Sequence, residues 1–130
     1  MIDFLLDPSS GVAPYMQLVQ QVRRALRLGL LQVGDQLPTV KEVVGRIAIN
    51  PNTVAKAYRE LEREGLVGAR PGLGTFIVAT LGDASLTAQG PLRTKLRRWL
   101  IEAHRAGLDQ ESIEALFHDV SRALAEEETA

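Results

Sequence analysis

Between Thr39 and Gly65 the chain carries two helix starts in close succession, and this spacing limits the folds open to it more than any other feature. Thr39-Val40-Lys41-Glu42 has the form of a capping box: the Thr39 hydroxyl accepts from the Glu42 N–H, and the Glu42 carboxylate reaches back. The helix it opens has an apolar face of Val43, Val44 and Ile47 and is short, because Asn50-Pro51 starts the next one. There a cap residue precedes proline at a first helical position, where its missing N–H costs nothing. The helix that follows carries the stripe Val54, Ala57, Tyr58 and Leu61 and stops at Gly65. Two helices about three residues apart, the second freshly capped, predict a helix-turn-helix.

The flanks complete a small domain. Ile2 to Leu6 is predicted as a short strand and Pro8-Ser9-Ser10-Gly11 as a turn. Pro14 opens an amphipathic helix whose stripe is Tyr15, Leu18, Val19, Val22, Leu26 and Leu30, ending near Gly29 to Gln32. Residues 33–38 read as a loop. Downstream, Leu66 to Arg70 and Thr75 to Val78 are extended runs around Pro71-Gly72-Leu73-Gly74, which predicts a β-hairpin. Directly behind the second helix of a helix-turn-helix, such a hairpin is a wing.

A polar stretch from Thr80 through Asp83-Ala84-Ser85 to Gly90-Pro91 reads as a linker, and two more amphipathic helices follow. Leu92, Leu96, Trp99, Leu100 and Ala103 line the first; Ile113, Leu116, Phe117, Val120 and Leu124 line the second. Two such helices cannot bury these faces on each other alone, so they pack on the head or on a second copy of the chain, and the linker that sets them apart makes the second copy the expected partner. The predicted class is mainly α with a small β-hairpin (α+β). A winged helix-turn-helix spans residues 1–80, a linker 81–91 and a two-helix dimerisation region 92–128.

The chain has no cysteine, which removes disulfides, thiolate metal sites and cysteine nucleophiles together. Met1 to Asp7 lacks the basic start and apolar run of a signal peptide, and no apolar stretch approaches the ~20 residues of a membrane span. A cytoplasmic protein is expected, with no membrane partner. The net charge of −1 hides an asymmetry: residues 1–80 hold nine Lys/Arg and seven Asp/Glu, whereas residues 81–130 hold six and nine. A mildly basic head and an acidic tail suit a head that meets a polyanion.

A recognition helix entering a major groove presents its dipole, its free N–H groups and its first side chains to DNA. Here those side chains are Asn50, Asn52, Thr53 and, one turn on, Lys56. Asn suits bidentate contact with adenine, Thr meets a thymine methyl or a phosphate, and Lys reaches guanine or phosphate. Lys41 in the preceding helix, Arg59, Arg46 and Arg70 are further cationic candidates, and Gly72 lets the wing backbone approach closely. Asn50-Pro51-Asn52 also reads as a well-made cap on an ordinary exposed helix, and Arg59 equally as the partner of Glu62. The wing and the preceding capped helix favour DNA. His104 and His118 lack ligand spacing, so no metal, cofactor or catalytic site is expected, and the chain is not read as an enzyme.

Several ordered segments resemble the GntR family of bacterial regulators: Pro14-Tyr15-Met16-Gln17-Leu18, Gly34-Asp35-Gln36-Leu37-Pro38-Thr39, Asn50 through Glu62, Gly65-Leu66-Val67 and Pro71 through Phe76. The short tail resembles its YtrA-type subfamily, which lacks large effector domains and dimerises through that tail. The resemblance implies a sequence-specific transcriptional regulator, a repressor bound as a homodimer to an inverted-repeat operator in double-stranded DNA. It implies contacts from Lys41, Asn50, Asn52, Thr53 and Gly72. The family commonly has arginine where this chain has Lys41 and Leu73, and some relatives carry a contacting arginine where Ala55 stands, so base reading leans on the asparagines. Two other readings stay open: a winged helix used as a protein-docking module, and an unidentified small-molecule effector held near Trp99.

Overall fold

In the computed structural model of the chain, residues 2–82 and 88–129 are described. Helix α1 (Pro14–Arg27) starts at the proline and buries Leu18, Val19, Val22, Ala25 and Leu26. It ends where the Gly29 and Leu30 N–H groups return to the Leu26 and Ala25 carbonyls. That closure turns the chain, so Leu30, predicted in the stripe, points out at 71% exposure and Leu31 enters the core at 4%. Helix α2 (Val40–Arg46) has the predicted capping box, with Glu42 N–H donating to Thr39 Oγ1 at 3.1 Å and Thr39 N–H to Glu42 Oε1 at 3.2 Å. Only Val43 of its predicted face is fully buried. Helix α3 (Pro51–Arg63) buries Val54, Ala57, Tyr58 and Leu61 and closes past Glu64 in the same way as α1.

Strands β1 (Val67–Arg70) and β2 (Gly74–Ile77) pair antiparallel, Val67 facing Ile77 and Arg70 facing Gly74. Residues 33–38 form the predicted loop, and part of it runs beside β2 through one isolated bridge, Gln36 opposite Phe76. Gly34 N–H donates to Ile77 O at 2.9 Å, Ile77 N–H to Asp35 O at 2.8 Å, and Leu37 N–H to Thr75 O at 2.9 Å. Leu37 and Ile77 thereby seal the end of the core at 1% exposure each.

The predicted strand at Ile2 to Leu6 is not one. No strand lies beside it among the described residues, and side-chain amides of α1 take the ladder's place. Leu5 N–H donates to Gln21 Oε1 at 3.0 Å while Gln21 Nε2 donates to Leu5 O at 2.7 Å. One turn earlier, Gln17 makes the same pair of bonds with Asp7. The arm is laid along α1 in extended form, which buries Phe4 in the common core. Arg23 of α1 donates through Nε to Glu64 Oε1 at 2.8 Å and ties that helix to the end of α3.

The chain divides into two compact units, Met1–Leu86 and Thr87–Ala130. The second holds helices α4 (Gln89–Arg105) and α5 (Gln110–Thr129). Helix α4 begins before the linker was predicted to end, because Gly90 and Pro91 lie within its first turn. Proline is tolerated there since the first four N–H groups of a helix have no intrahelical partner. Residues 83–87 of the predicted linker lie outside the described residues. No helix among the described residues is long and apolar enough to cross a membrane.

Candidate nucleic-acid interface

The start of α3 is fully capped. Asn50 Oδ1 accepts the Asn52 N–H at 2.8 Å, and Asn50 O accepts from the Thr53 and Val54 N–H groups at 3.0 and 3.3 Å. Pro51 has no N–H. The free backbone donors expected at this end are therefore already satisfied within the chain. What the helix offers a ligand is its dipole and its side chains. Asn50 commits its carbonyl oxygen to the cap and keeps its amide Nδ2 as the group that faces outward.

Asn52, Lys56 and Arg59 are exposed and recur at helical spacing on the side of α3 away from Val54, Ala57, Tyr58 and Leu61. Thr53 is half-buried beside them. Arg59 forms no pair with Glu62; the ion pair on this helix joins Arg63 to Glu60. That pairing holds the Glu60 carboxyl below its usual range, chiefly through the hydrogen bond from Arg63. Lys56 has a partner from another element: its Nζ sits 4.0 Å above the centroid of the Tyr15 ring, at the start of α1. Tyr15, read from the sequence as part of the α1 core stripe, is half-buried and holds the lysine's charge in place.

Lys41 is exposed in the first turn of α2. Arg46, at the other end of α2, pairs with Asp3 of the N-terminal arm at 3.0 Å. The two helices are held together through the turn before α2: the buried Tyr58 hydroxyl of α3 donates to the Pro38 carbonyl. Burial, and then the Glu42 charge, push the Tyr58 pKa upward, so it remains a donor. This bond fixes α3 to the segment from which α2 starts.

The wing tip is a tight turn. Leu73 N–H donates to Arg70 O at 2.9 Å, with Pro71 and Gly72 in the two central positions and Gly72 at φ +76°. Proline followed by a residue of positive φ is the pattern of a type II turn, which explains the glycine by conformation alone. Gly72 and Leu73 are exposed, Leu73 at 65%. Arg70 is stacked with its guanidinium 4.6 Å from the Phe76 ring centre. Every head residue singled out from the sequence thus lies on α2, on α3 or on the wing. The residues missed are Tyr15, Asp3 and Gln36, whose amide Nε2 donates to Leu73 O at 2.9 Å. Only Tyr15 and Gln36 stood in segments already marked as distinctive.

On the tail, Leu92, Leu96, Trp99, Leu116, Phe117, Val120 and Leu124 are exposed. All of these but Leu92 border, with Ser121, a groove of about 350 Å³. Leu100 is half-buried. Ile113 departs from the predicted pairing face: it is 4% exposed, covered in the single chain at the first turn of α5. His118 meets the Phe117 ring edge-on at 5.6 Å.

A family model described as bacterial regulatory proteins, gntR family, matches residues 14–77. The chain is 37% identical over 120 residues to the HTH-type transcriptional repressor YtrA of Bacillus subtilis (strain 168), covering 89% of this chain and 90% of the relative. A structure described as a transcriptional antiterminator from Listeria monocytogenes EGD-e superposes with a TM-score of 0.57 at 34% identity, covering 91% of this chain and 89% of that one. A GntR-family transcription factor, YtrA from Sulfolobus acidocaldarius, superposes with a TM-score of 0.55 at 25% identity, covering 77% and 99%.

Proposed function

The chain belongs to the GntR family of bacterial regulatory proteins and is a transcriptional regulator with a DNA-binding domain, and we propose that it acts as a homodimeric repressor on an inverted-repeat operator. The observation that carries this reading is the exposed strip Asn52, Lys56 and Arg59 on α3, in one compact unit with a glycine-turned wing. Asn52 and the Nδ2 of Asn50 read base edges, Thr53, Lys56, Arg59 and Lys41 meet base edges or phosphates, and the wing backbone at Gly72 approaches the duplex. The repressor role is supported by the name of the Bacillus relative. Such a protein works in the cytoplasm.

Dimerisation is supported by the tail. Burying one large apolar side chain is worth about 1.5–3 kcal/mol, and eight stand exposed on α4 and α5 among the described residues. A second copy supplies a matching face, since a twofold interface joins one patch to itself. With two recognition helices the half-sites fall about 10 bp, or a multiple of that, apart.

Selection of bound fragments from random DNA tests the reading. The expected product is an inverted repeat whose affinity falls with salt at a log–log slope near −5, for about six neutralised phosphates. Enrichment of no sequence, or binding insensitive to salt, overturns it.

A further inference from the structure

We infer that Gln36 is the positioning residue of the wing, setting where its tip stands relative to the recognition helix. The backbone of Gln36 is bridged to Phe76 on β2, between the Gly34–Ile77 and Leu37–Thr75 bonds. From that anchored position its side chain runs toward the tip, where Nε2 donates to the Leu73 carbonyl at 2.9 Å. Leu73 O belongs to an exposed turn, and the Gln36 amide is the protein donor that holds it.

Gly74 shows that the amide's place is built into the wing. A β-carbon on Gly74 would lie 2.6 Å from Gln36 Nε2, and the residue sits at φ +125°. A side chain there would push the Gln36 amide off the Leu73 carbonyl, and the positive φ favours glycine in its own right, so the backbone at Gly74 leaves the amide its place. Within four residues the same segment grips each element proposed to meet DNA. Gln36 holds the wing tip, the Pro38 carbonyl takes the Tyr58 hydroxyl of α3, and Thr39 caps α2. A displacement of the tip relative to this segment therefore strains the Gln36 bond.

That the positioning serves DNA rests on the function proposed above; the ordering of the tip does not. The test uses the full chain, with Gln36→Met, which keeps the length and removes the donor, and Gln36→Lys, which restores one. Backbone order parameters of residues 71–74 in the free protein are expected to fall for Gln36→Met and to recover for Gln36→Lys. Losing the hydrogen bond that positions the tip should weaken operator binding by Gln36→Met roughly three- to tenfold, with protection lost at the outer edges of the footprint and binding to random DNA unchanged. Unchanged order at 71–74 in Gln36→Met overturns the proposal, as does equal weakening on operator and random DNA. If the wild-type chain enriches no sequence, the repressor reading fails by itself, and the order parameters alone decide the role of Gln36.

Discussion

Helices α1 and α3 of the head and helices α4 and α5 of the tail are all amphipathic, yet they meet opposite fates. Leu18, Val19, Val22, Leu26, Val54 and Leu61 in the head are at 0% exposure. Trp99, Phe117, Val120 and Leu124 in the tail stand between 38% and 56%. The difference lies in what surrounds each helix. The head brings an arm, a short helix, a hairpin and the segment 34–37 around α1 and α3, so each apolar stripe finds a cover. The tail has two helices and one corner, which suffice to bury Ala103 and Ile113 beside the turn and little else. Amphipathicity states that a face needs burial; only the number of neighbouring elements decides whether the chain meets that need alone.

The sharpest way to break this contrast is to damage the head core. Leu61→Ala removes a side chain at 0% exposure and should lower unfolding stability by about 2–5 kcal/mol, read by chemical denaturation. Self-association, measured by sedimentation where the head stays folded, should not change. A loss of self-association in that regime would mean that the head, not the tail, pairs the copies.

The converse variant strikes the tail. Trp99 borders the apolar groove and is 38% exposed. If the groove is the pairing face, Trp99→Ala behaves as the loss of an interface anchor worth about 2 kcal/mol or more, a rise in dimer dissociation constant of at least ~30-fold. Head unfolding at fixed temperature should keep its midpoint. A dimer indifferent to Trp99→Ala and Phe117→Ala together would remove the groove from the interface.

The same contrast explains what could be read from residues alone. The capping box at Thr39, the Asn50-Pro51 start, the α3 stripe and the hairpin turn each carry a signal confined to a few neighbouring residues, and each is found where it was expected. What escaped depends on partners distant in the chain. Gln17 and Gln21 substitute for a strand partner only because the arm returns to α1. Gln36 reaches a carbonyl 37 residues away. Tyr15 looks like one more apolar residue until Lys56 is placed above it. Amides and aromatic–cation pairs have no periodicity to betray them. Even the start of α4 was hidden, by a Gly-Pro pair that reads as a break but is harmless in a first turn.

Asn50 separates two roles that the sequence left superimposed. Asn50→Ala removes the cap on Asn52 N–H and should cost about 0.5–2 kcal/mol of head stability. Asn50→Asp keeps a cap oxygen of equal quality but deletes the Nδ2 donor and brings negative charge toward a phosphate backbone. It should leave stability near wild type and lose operator affinity. If Asn50→Asp binds the operator as tightly as wild type, Asn50 is a cap and nothing more.

The smallest effect expected is a difference in acid response between the two units. The cap oxygen of α3 belongs to the Asn50 amide, which takes up no proton in the carboxylate range. Helix α5 begins instead with Asp109, whose Oδ1 accepts the Ser112 N–H at 2.8 Å. The Ser112 backbone bond, and then its hydroxyl, hold this carboxyl below its ordinary value of 3.8. A carboxyl lowered by folding adds its stabilisation above the unfolded pKa and loses it as pH falls through the folded one. Acidification below about pH 4 should therefore loosen the first turn of α5, seen as a titrating Ser112 amide resonance, while the Asn52 amide at the start of α3 reports no such step. Asp109→Asn, an equally good cap without the charge, should abolish the step at Ser112 and keep the helix. A Ser112 titration that survives this substitution would assign the acid response to another group, and the caps of head and tail would then differ in residue type but not in behaviour.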